Sequence, residues 1–305
     1  MLRQRVLVAA AAALAALLIG AAPAAAHHLP VIYNGIYGYA QSHPTNSPPG
    51  SNDWSCKPTA EHPRPVVLAH GTFANRANSW QAISPLLHNE GYCVFALNYG
   101  SYNGSGALGI YGVGDIRRSA ARLGAFVDRV LAATGASEVD IVGHSQGGMM
   151  PRWYLKFHAG APEKVGVLAG LSSSNHGTTA SGLFVLSDFF PGADAFTGAL
   201  CPACRQQKRG SEFLQQLNSG GDTVAGVSYT VVQTRYDTVV TPYTSAFLSG
   251  PDVTNILLQD QCRLDIGDHL SMPYDHIAAR DVLNALDPAD ARRPVCTPVA
   301  PVAGG

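Results

Sequence analysis

The chain has 305 residues, of which 46% are hydrophobic and 13% are charged, and its formal net charge is −1. This hydrophobic content is ample for a large core, which excludes general disorder. No basic stretch is present that could hold a phosphate backbone, so nucleic acid is not expected as a partner. The length fits one large α/β domain or two small ones.

Residues 1–26 have the features of a secretory leader. Two arginines form a positive start, an apolar run follows over 6–20, and three alanines at 24–26 offer a small-residue cleavage site. An uncleaved membrane anchor is the alternative, because the uncharged run over 6–26 is just long enough to span a bilayer. We expect cleavage, since the run is mostly alanine, and hence a secreted mature chain of residues 27–305 that is not stably inserted in a membrane.

Six cysteines in an exported chain indicate three disulfides, although the sequence alone leaves the pairing open. The simplest arrangement joins neighbours, namely Cys56 with Cys93, Cys201 with Cys204, and Cys262 with Cys296. The spacing Cys201-Pro-Ala-Cys204 could instead be a redox motif. No thioredoxin-like βαβ pattern surrounds it, so we expect a small structural clip.

Short apolar runs alternate with helical patterns along the chain. Strands are predicted over residues 64–69, 92–97, 139–142, 165–171, 227–233 and 253–258. Helices are predicted over 76–90, 115–134, 147–158 and 276–286, the last with Asp275 as its N-cap. Residues 41–60, rich in Pro, Ser, Asn and Gly, are predicted to form a surface loop. The alternation favours an α/β fold with a mostly parallel sheet and helices on both faces, in which sites lie beyond the carboxyl ends of the strands.

The segment Val142-Gly143-His144-Ser145-Gln146-Gly147-Gly148 is the sharpest functional signal. It follows a predicted strand and opens a predicted helix, which is the context that the G-x-S-x-G motif needs. Gly143 and Gly147 remove side chains that would clash in so tight a turn, and the Ser145 hydroxyl is thereby held above the sheet. An ordinary glycine-rich turn is the alternative, but the flanking strand and helix favour a nucleophile.

A serine nucleophile also needs donors for the oxyanion that forms on its substrate. The N–H of Gln146, directly after Ser145, is one such donor. The second should come from the loop after an early strand, where the segment His70-Gly71-Thr72-Phe73 follows the strand at 64–69. We choose the N–H of Thr72, with Phe73 next, and expect His70 to shape the loop rather than to act in the chemistry.

The acid of a serine triad should follow the serine in this fold and precede the base. Asp237 comes just after the apolar strand at 227–233 and is our candidate. Asp222, in a glycine loop before that strand, and Asp252 are rivals. Asp140 lies inside the strand that precedes the serine, so we expect it to be structural.

Two histidines remain as candidates for the base. His269 lies in a loop after the last strand, which would let its imidazole reach both the serine and the acid, whereas His276 begins the last helix; we favour His269. His176 follows another strand and is a candidate pocket residue whose place in the chain argues against a role as base. Because no HExxH, P-loop or GxGxxG motif is present, no metal or cofactor is expected.

A very apolar segment lies between two predicted strands, where such folds insert caps. Within residues 182–200 its large apolar side chains are Leu183, Phe184, Val185, Leu186, Phe189, Phe190 and Phe196. We expect a small cap or lid region over about 177–210. An acyl-binding wall and a packed helix over the core are equally compatible with this composition.

Four stretches together resemble the secreted α/β-hydrolase triacylglycerol lipases of actinobacterial type, the class 2 lipase family, and more distantly the fungal lipase B type. They are AHGTFAN at 69–75, VDIVGHSQGGMMPRWYLKF at 139–157, TRYDTVVTPYTSAFL at 234–248 and DHLSMPYD at 268–275. They occur in order, and with their spacing the resemblance covers about residues 30–290. The resemblance implies an α/β-hydrolase fold and hydrolysis of the carboxylic esters of acylglycerols.

The resemblance also assigns roles to single residues. It implies a triad of Ser145, Asp237 and His269, with Thr72 and Gln146 as oxyanion donors. It supports the Cys56–Cys93 and Cys262–Cys296 pairs, whereas the Cys201–Cys204 pair has no counterpart in the fungal type and rests on spacing alone.

We expect a secreted monomer whose substrate is a lipid or another ester, met in water or at an oil–water interface. A short-chain carboxylesterase, a polyester hydrolase and an acyltransferase are alternatives on the same triad. A non-catalytic binding protein is the alternative from another class, because a fold does not determine a function.

Overall fold

The computed structural model describes residues 28–181 and 198–305, and in this part of the chain six strands form one sheet in which all neighbours are parallel. The strand order is β2-β1-β3-β4-β5-β6. The strands are β1 (Val66–Ala69), β2 (Val94–Leu97), β3 (Val139–His144), β4 (Val165–Leu171), β5 (Ser228–Gln233) and β6 (Val253–Leu257). All six were predicted from the sequence to within two residues at each end. Strands β1 to β5 are almost fully buried, as expected for parallel strands, whereas the edge strand β6 is partly exposed.

Helices precede, connect and follow the strands. They are α1 (Gly35–Gln41), α2 (Arg76–Ser79), α3 (Ile83–Asn89), α4 (Ile116–Thr134), α5 (Gln146–Phe157), α6 (Pro202–Gln207), α7 (Glu212–Asn218), α8 (Leu258–Gln261) and α9 (His276–Leu286). The predictions of α4, α5 and α9 are confirmed to within one residue. The four helices that the sequence analysis missed, α1, α6, α7 and α8, have no more than seven residues each, which is too short to display a helical period.

The prediction of one helix over 76–90 is wrong, because the structure divides this segment into α2 and α3. Asn75 caps α2, its side chain accepting from the N–H groups of Ala77 and Asn78. Pro85 explains the break: in one continuous helix it could not donate to the carbonyl of Gln81, and its ring would clash with that group. In the first turn of α3 no such bond is required.

The sheet is covered on both faces, as predicted. Successive residues of β1 point to opposite sides, so Val67 and Ala69 join the apolar cluster that contains the buried side of α4 and α5. Val66 and Leu68 join the second cluster, with the buried side of α3 and α9. An apolar cluster therefore covers each face of the sheet.

The three disulfides join the neighbouring cysteines. Cys56 pairs with Cys93, Cys201 with Cys204, and Cys262 with Cys296, with Cα–Cα distances of 5.8, 5.3 and 5.1 Å. The Cys201–Cys204 disulfide closes the first turn of α6. The third ties the C-terminal segment to the end of α8.

Two expectations from the sequence fall on residues outside the described ranges. They are the leader at 1–26 and the large apolar side chains of the cap between 183 and 196. Within the described ranges, no helix combines the length and the apolar character needed to cross a bilayer.

Candidate active site

Ser145 occupies the sharp turn between β3 and α5. Its backbone has φ 56° and ψ −122°, a left-handed φ that strains a residue with a side chain. A Cβ on Gly143 would lie 2.0 Å from the carbonyl oxygen of Gly147, and a Cβ on Gly147 would lie 2.0 Å from the carbonyl oxygen of Ala69. Both positions therefore require glycine, and the turn presents the serine at the carboxyl edge of the sheet.

His269 and Asp237 form a buried pair at the same edge. His269 Nδ1 donates to Asp237 Oδ2 at 2.9 Å, and Asp237 Oδ1 accepts from the N–H groups of Val239 at 2.8 Å and Val240 at 2.7 Å. Burial by itself raises the pKa of Asp237. His269 and the two N–H groups lower the pKa by more than burial raises it, so the pKa lies below its ordinary value. The ionised carboxylate holds the proton of His269 on Nδ1, which leaves Nε2 as the basic nitrogen.

His144 joins the serine turn to the histidine loop. Its Nε2 donates to the main-chain carbonyl of His269 at 3.0 Å, and the two ring centroids are 4.7 Å apart. Burial, with the nearby His269, lowers the pKa of His144 to about 3, so this ring stays neutral. The residue next to Ser145 thus contacts His269 across 125 positions of sequence.

The loop after β1 packs directly against the serine turn. A Cβ on Gly71 would lie 3.1 Å from Ser145 Cβ. Among the described residues, neither the N–H of Thr72 nor that of Gln146 donates to another group. Both are therefore available to an oxyanion beside Ser145. Phe73, the second choice for this role, lies one residue further out with its side chain 60% exposed.

His70 shapes this loop from inside the protein. Its ring is buried, stacks on Tyr99 with centroids 4.4 Å apart, and donates from Nδ1 to the carbonyl of Gly71 at 2.8 Å. The Tyr99 hydroxyl donates to the His70 carbonyl. Burial lowers the pKa of His70 to about 4, so the imidazole is neutral at ordinary pH.

Asp222, the first rival acid, belongs to a separate polar cluster. It accepts from Arg152 Nη2 at 3.3 Å and from His176 Nε2 at 3.0 Å. Arg152 is only 1% exposed and also donates to the Asp222 carbonyl at 3.0 Å. His176, the candidate pocket residue, is therefore bound to Asp222 and not to His269.

The remaining rivals are also bound or placed elsewhere. Asp140 accepts from Arg64 Nε at 2.7 Å, and Asp252 is exposed at the start of β6. His276, at the start of α9, contacts the C-terminal segment, with Nε2 3.0 Å from the carbonyl oxygen of Val295. Within the described residues, none of the three contacts the His269–Asp237 pair.

Sequence reasoning missed two polar side chains beside the site. Gln207, in α6, reaches the hydroxyl of Thr72 at 2.9 Å, and a six-residue helix gave no signal of this contact. Asp268 Oδ1 accepts from the N–H groups of Leu270 and Ser271 at 3.2 and 3.0 Å. The aspartate within Gly-Asp-His-Leu is a typical turn signal, from which the hydrogen bonds of Asp268 could have been predicted.

Each loop at the site carries an exposed apolar side chain next to its polar residue. Phe73 follows Thr72, Leu270 follows His269, and Val239 is two residues beyond Asp237, with exposed fractions of 60%, 43% and 38%. Apolar surface is therefore exposed on the same three loops that carry predicted site residues.

Sequence comparison relates the chain to lipases. The family model described as Lipase (class 2) matches residues 63–272, which is more than half of the chain. Two relatives named triacylglycerol lipase, from Pseudarthrobacter phenanthrenivorans and Burkholderia plantarii, are each 34% identical over 119 residues, or 37% of this chain. The matched part spans 34% and 30% of those two proteins, about a third of their length.

Structural comparison finds the same fold in solved lipases. Aspergillus fumigatus lipase B has a TM-score of 0.58 and 21% identity, with coverage of 82% of this chain and 57% of that one. The mature form of Bacillus licheniformis lipase BlEst2 has a TM-score of 0.50 and 17% identity, with coverage of 66% and 85%. At these identities the likeness concerns the fold, and the predicted α/β-hydrolase fold is confirmed.

Proposed function

Because the chain belongs to the class 2 lipase family, we propose that it is a serine hydrolase that cleaves the carboxylic esters of acylglycerols. The observation that carries the proposal is the 2.9 Å hydrogen bond from His269 Nδ1 to Asp237 Oδ2, at the same edge as the strained turn of Ser145. The order serine, acid, histidine along the chain is that of an α/β-hydrolase triad.

The proposed reaction proceeds through an acyl-enzyme. His269 Nε2 takes the proton of Ser145 Oγ while the oxygen attacks the ester carbonyl, and the Asp237 carboxylate stabilises the imidazolium that forms. The main-chain N–H groups of Thr72 and Gln146 bind the oxyanion. His269 then gives its proton to the leaving alcohol. Water, deprotonated by His269, attacks the acyl-enzyme and releases the carboxylic acid and Ser145.

The exposed apolar side chains on the three loops that carry predicted site residues favour a lipid ester, met as a dissolved molecule or at an oil–water interface. Phe73, Val239 and Leu270 would contact hydrocarbon on either side of the reacting carbonyl. The three disulfides favour an exported protein, in agreement with the leader expected from the sequence. We propose that the mature chain acts as a secreted monomer.

Substitution of Ser145 with Ala tests the nucleophile. We expect kcat for p-nitrophenyl esters to fall on the order of 10⁵-fold or more, since the acyl-enzyme cannot form. A phosphonate ester should label the wild type at Ser145 and leave the variant unlabelled. His276→Gln is the matched control for His269→Gln: the first should keep kcat within about threefold and the second should lose it. Turnover by folded Ser145→Ala near the wild-type rate would refute the proposal.

A chain-length profile defines the substrate class. Hydrolysis of emulsified long-chain triglyceride, together with long-chain p-nitrophenyl esters, is the expected result for a lipase. Activity confined to short acyl chains would make the enzyme a carboxylesterase. Release of acid from a polyester film, without activity on triglyceride, would make it a polyester hydrolase.

A further inference from the structure

A buried hydrogen bond joins residues 234–237, which we call the acid loop, to residues 265–269, which we call the base loop. The first ends at the proposed acid and the second ends at the proposed base. The hydroxyl of Thr234 donates to the carbonyl of Gly267 at 2.6 Å, across 33 positions of sequence. The loops meet again at the 2.9 Å hydrogen bond between the base and the acid, so they are joined at two points.

Gln259, in α8, contacts both loops. Its Nε2 donates to Thr234 Oγ1 at 3.1 Å and to the carbonyl of Asp265 at 3.2 Å, and its Oε1 accepts from the N–H of Arg235 at 2.7 Å. A main-chain carbonyl can only accept and a main-chain N–H can only donate, so these contacts identify the nitrogen and the oxygen of the amide. One side chain therefore holds the acid loop and the base loop at the same time.

The hydroxyl of Thr234 uses its full hydrogen-bonding capacity. It donates its proton to Gly267, and its oxygen accepts from Gln259 Nε2 and from the N–H of Tyr236, the latter at 3.2 Å. A hydroxyl has one proton and two lone pairs, and all three are occupied. Thr234 is fully buried and Gln259 is 8% exposed, so a group that loses its partner here pays the desolvation cost.

We propose that Thr234 and Gln259 are positioning residues that hold the acid loop against the base loop and thereby set the distance between Asp237 and His269. The inference rests on the proposed function. Both side chains act through the Asp237–His269 hydrogen bond and do not touch the substrate. Because that bond orients the imidazole toward Ser145, a displacement of about 1 Å between the loops would cost on the order of 10²-fold in rate.

The main chain of Thr234 is anchored independently of its hydroxyl. Gln233 Oε1 accepts from the N–H of Thr234 at 2.9 Å and from Ser172 Oγ at 2.6 Å, and Gln233 Nε2 donates to the carbonyl of Tyr243 at 3.1 Å. These anchors remain when the hydroxyl is removed. A substitution that removes only the hydroxyl should therefore release the base loop and leave the acid loop in place.

Thr234→Val tests the inference because it removes the hydroxyl and keeps the branched shape. We expect kcat for a soluble short-chain p-nitrophenyl ester to fall on the order of 10-fold to 10²-fold, with KM changed less than about threefold. Thr234→Ser keeps the hydroxyl and should retain kcat within about threefold of the wild type. Unchanged kcat in folded Thr234→Val would overturn the inference.

Gln261 provides a matched control for Gln259. It belongs to the same short helix, and its Nε2 donates to Asp281 Oδ1 at 3.2 Å, which connects α8 to α9. Gln259→Met should lower kcat by about 10-fold, since the Thr234 hydroxyl loses a donor and the N–H of Arg235 loses its acceptor. Gln261→Met should keep kcat within about twofold of the wild type. Equal losses in the two variants would contradict a positioning role for Gln259.

A double-mutant cycle with Asp237→Asn separates positioning from general structure. In the Asp237→Asn background the bond between carboxylate and imidazole is already lost, so Thr234→Val should lower kcat by less than about twofold further. An equal loss in both backgrounds would overturn the inference, because the hydroxyl would then act by another route. If Thr234→Val does not fold, the same cycle with Gln259→Met decides between these two outcomes.

Proton NMR reports on the same hydrogen bond directly. The His269 Nδ1 proton is donated to the Asp237 carboxylate, and a proton in a charge-assisted bond of this kind should resonate far downfield. The resonance should move upfield in Thr234→Val, because the bond lengthens, and should be unchanged in Gln261→Met. An identical resonance in the wild type and in Thr234→Val would count against the inference.

The proposed function has a separate failure. A wild type that hydrolyses no ester and is not labelled by a phosphonate would end the proposal of a serine hydrolase, whatever the Thr234 variants do. An active wild type in which Thr234→Val costs the same with and without the Asp237 carboxylate would leave the hydrolase standing and remove only the positioning role.

Discussion

Replacement of Asp237 with Asn tests whether this carboxylate sets the tautomer of His269. The amide keeps the shape of the side chain, and its oxygen can still accept from the N–H groups of Val239 and Val240, which lie 2.8 and 2.7 Å from Asp237 Oδ1. Its nitrogen then faces His269 Nδ1. Because two donors cannot face each other, His269 must carry its proton on Nε2, where it cannot accept the proton of Ser145.

The opposite amide orientation would restore the useful tautomer at a cost that the structure defines. The NH₂ group would then face the two buried N–H groups, and each unsatisfied buried donor costs about 1–3 kcal/mol. The useful orientation is therefore disfavoured by about 2–6 kcal/mol, or roughly 30-fold to 10⁴-fold in population. We expect kcat to fall within this range.

The assay is kcat for a soluble p-nitrophenyl ester near pH 8, with thermal unfolding as the control for folding. Asp222→Asn is the matched variant, since Asp222 is the rival carboxylate and is bound to Arg152 and His176. It should keep kcat within about threefold of the wild type. A folded Asp237→Asn variant with kcat within tenfold of wild type, or an equal loss in Asp222→Asn, would refute the reasoning.

Two further predictions concern stability. Arg152→Met leaves the carboxylate of Asp222 without its buried cation, and the free energy of unfolding in urea should fall by about 3–5 kcal/mol; a loss below about 1 kcal/mol would contradict this. Burial and the charge of Asp265 raise the pKa of Asp275 well above its ordinary value, so the native state binds this proton more tightly than the unfolded chain and loses stability as pH rises above that ordinary value. Asp275→Asn keeps the N-cap of α9 and removes this titration, so its melting temperature should decline less between pH 5 and pH 8 than that of the wild type. Parallel declines would rule out the shifted carboxyl.

The strands and the serine turn could be predicted from the sequence because their causes are local. Most of the strands are largely apolar runs that are buried on both faces, and such a run is visible in the sequence itself, whereas the edge strand β6 is partly exposed. The turn at Ser145 needs glycine at 143 and 147 because a Cβ there would overlap main-chain atoms, and that need is visible in five consecutive letters. The long helices α4 and α9 likewise show their period within their own residues.

Short helices were missed because packing, and not propensity, stabilises them. Helix α6 has six residues, begins at a disulfide and ends at a glutamine bound to a distant loop. Isolated helices of this length are unstable in water, so the residues of the segment alone do not predict a helix. The break between α2 and α3 could have been predicted from Pro85, which lies inside the segment that was predicted as one helix.

Among several polar side chains that suit the site equally by type, only tertiary structure decides which ones meet. Asp222 and Asp237 flank the same strand, yet the first contacts Arg152 across 70 positions and the second contacts His269 across 32. Gln207 reaches Thr72 across 135 positions. Contacts of this kind depend on the order of strands in the sheet and on how the loops at its carboxyl edge pack together, which no local pattern of residues encodes.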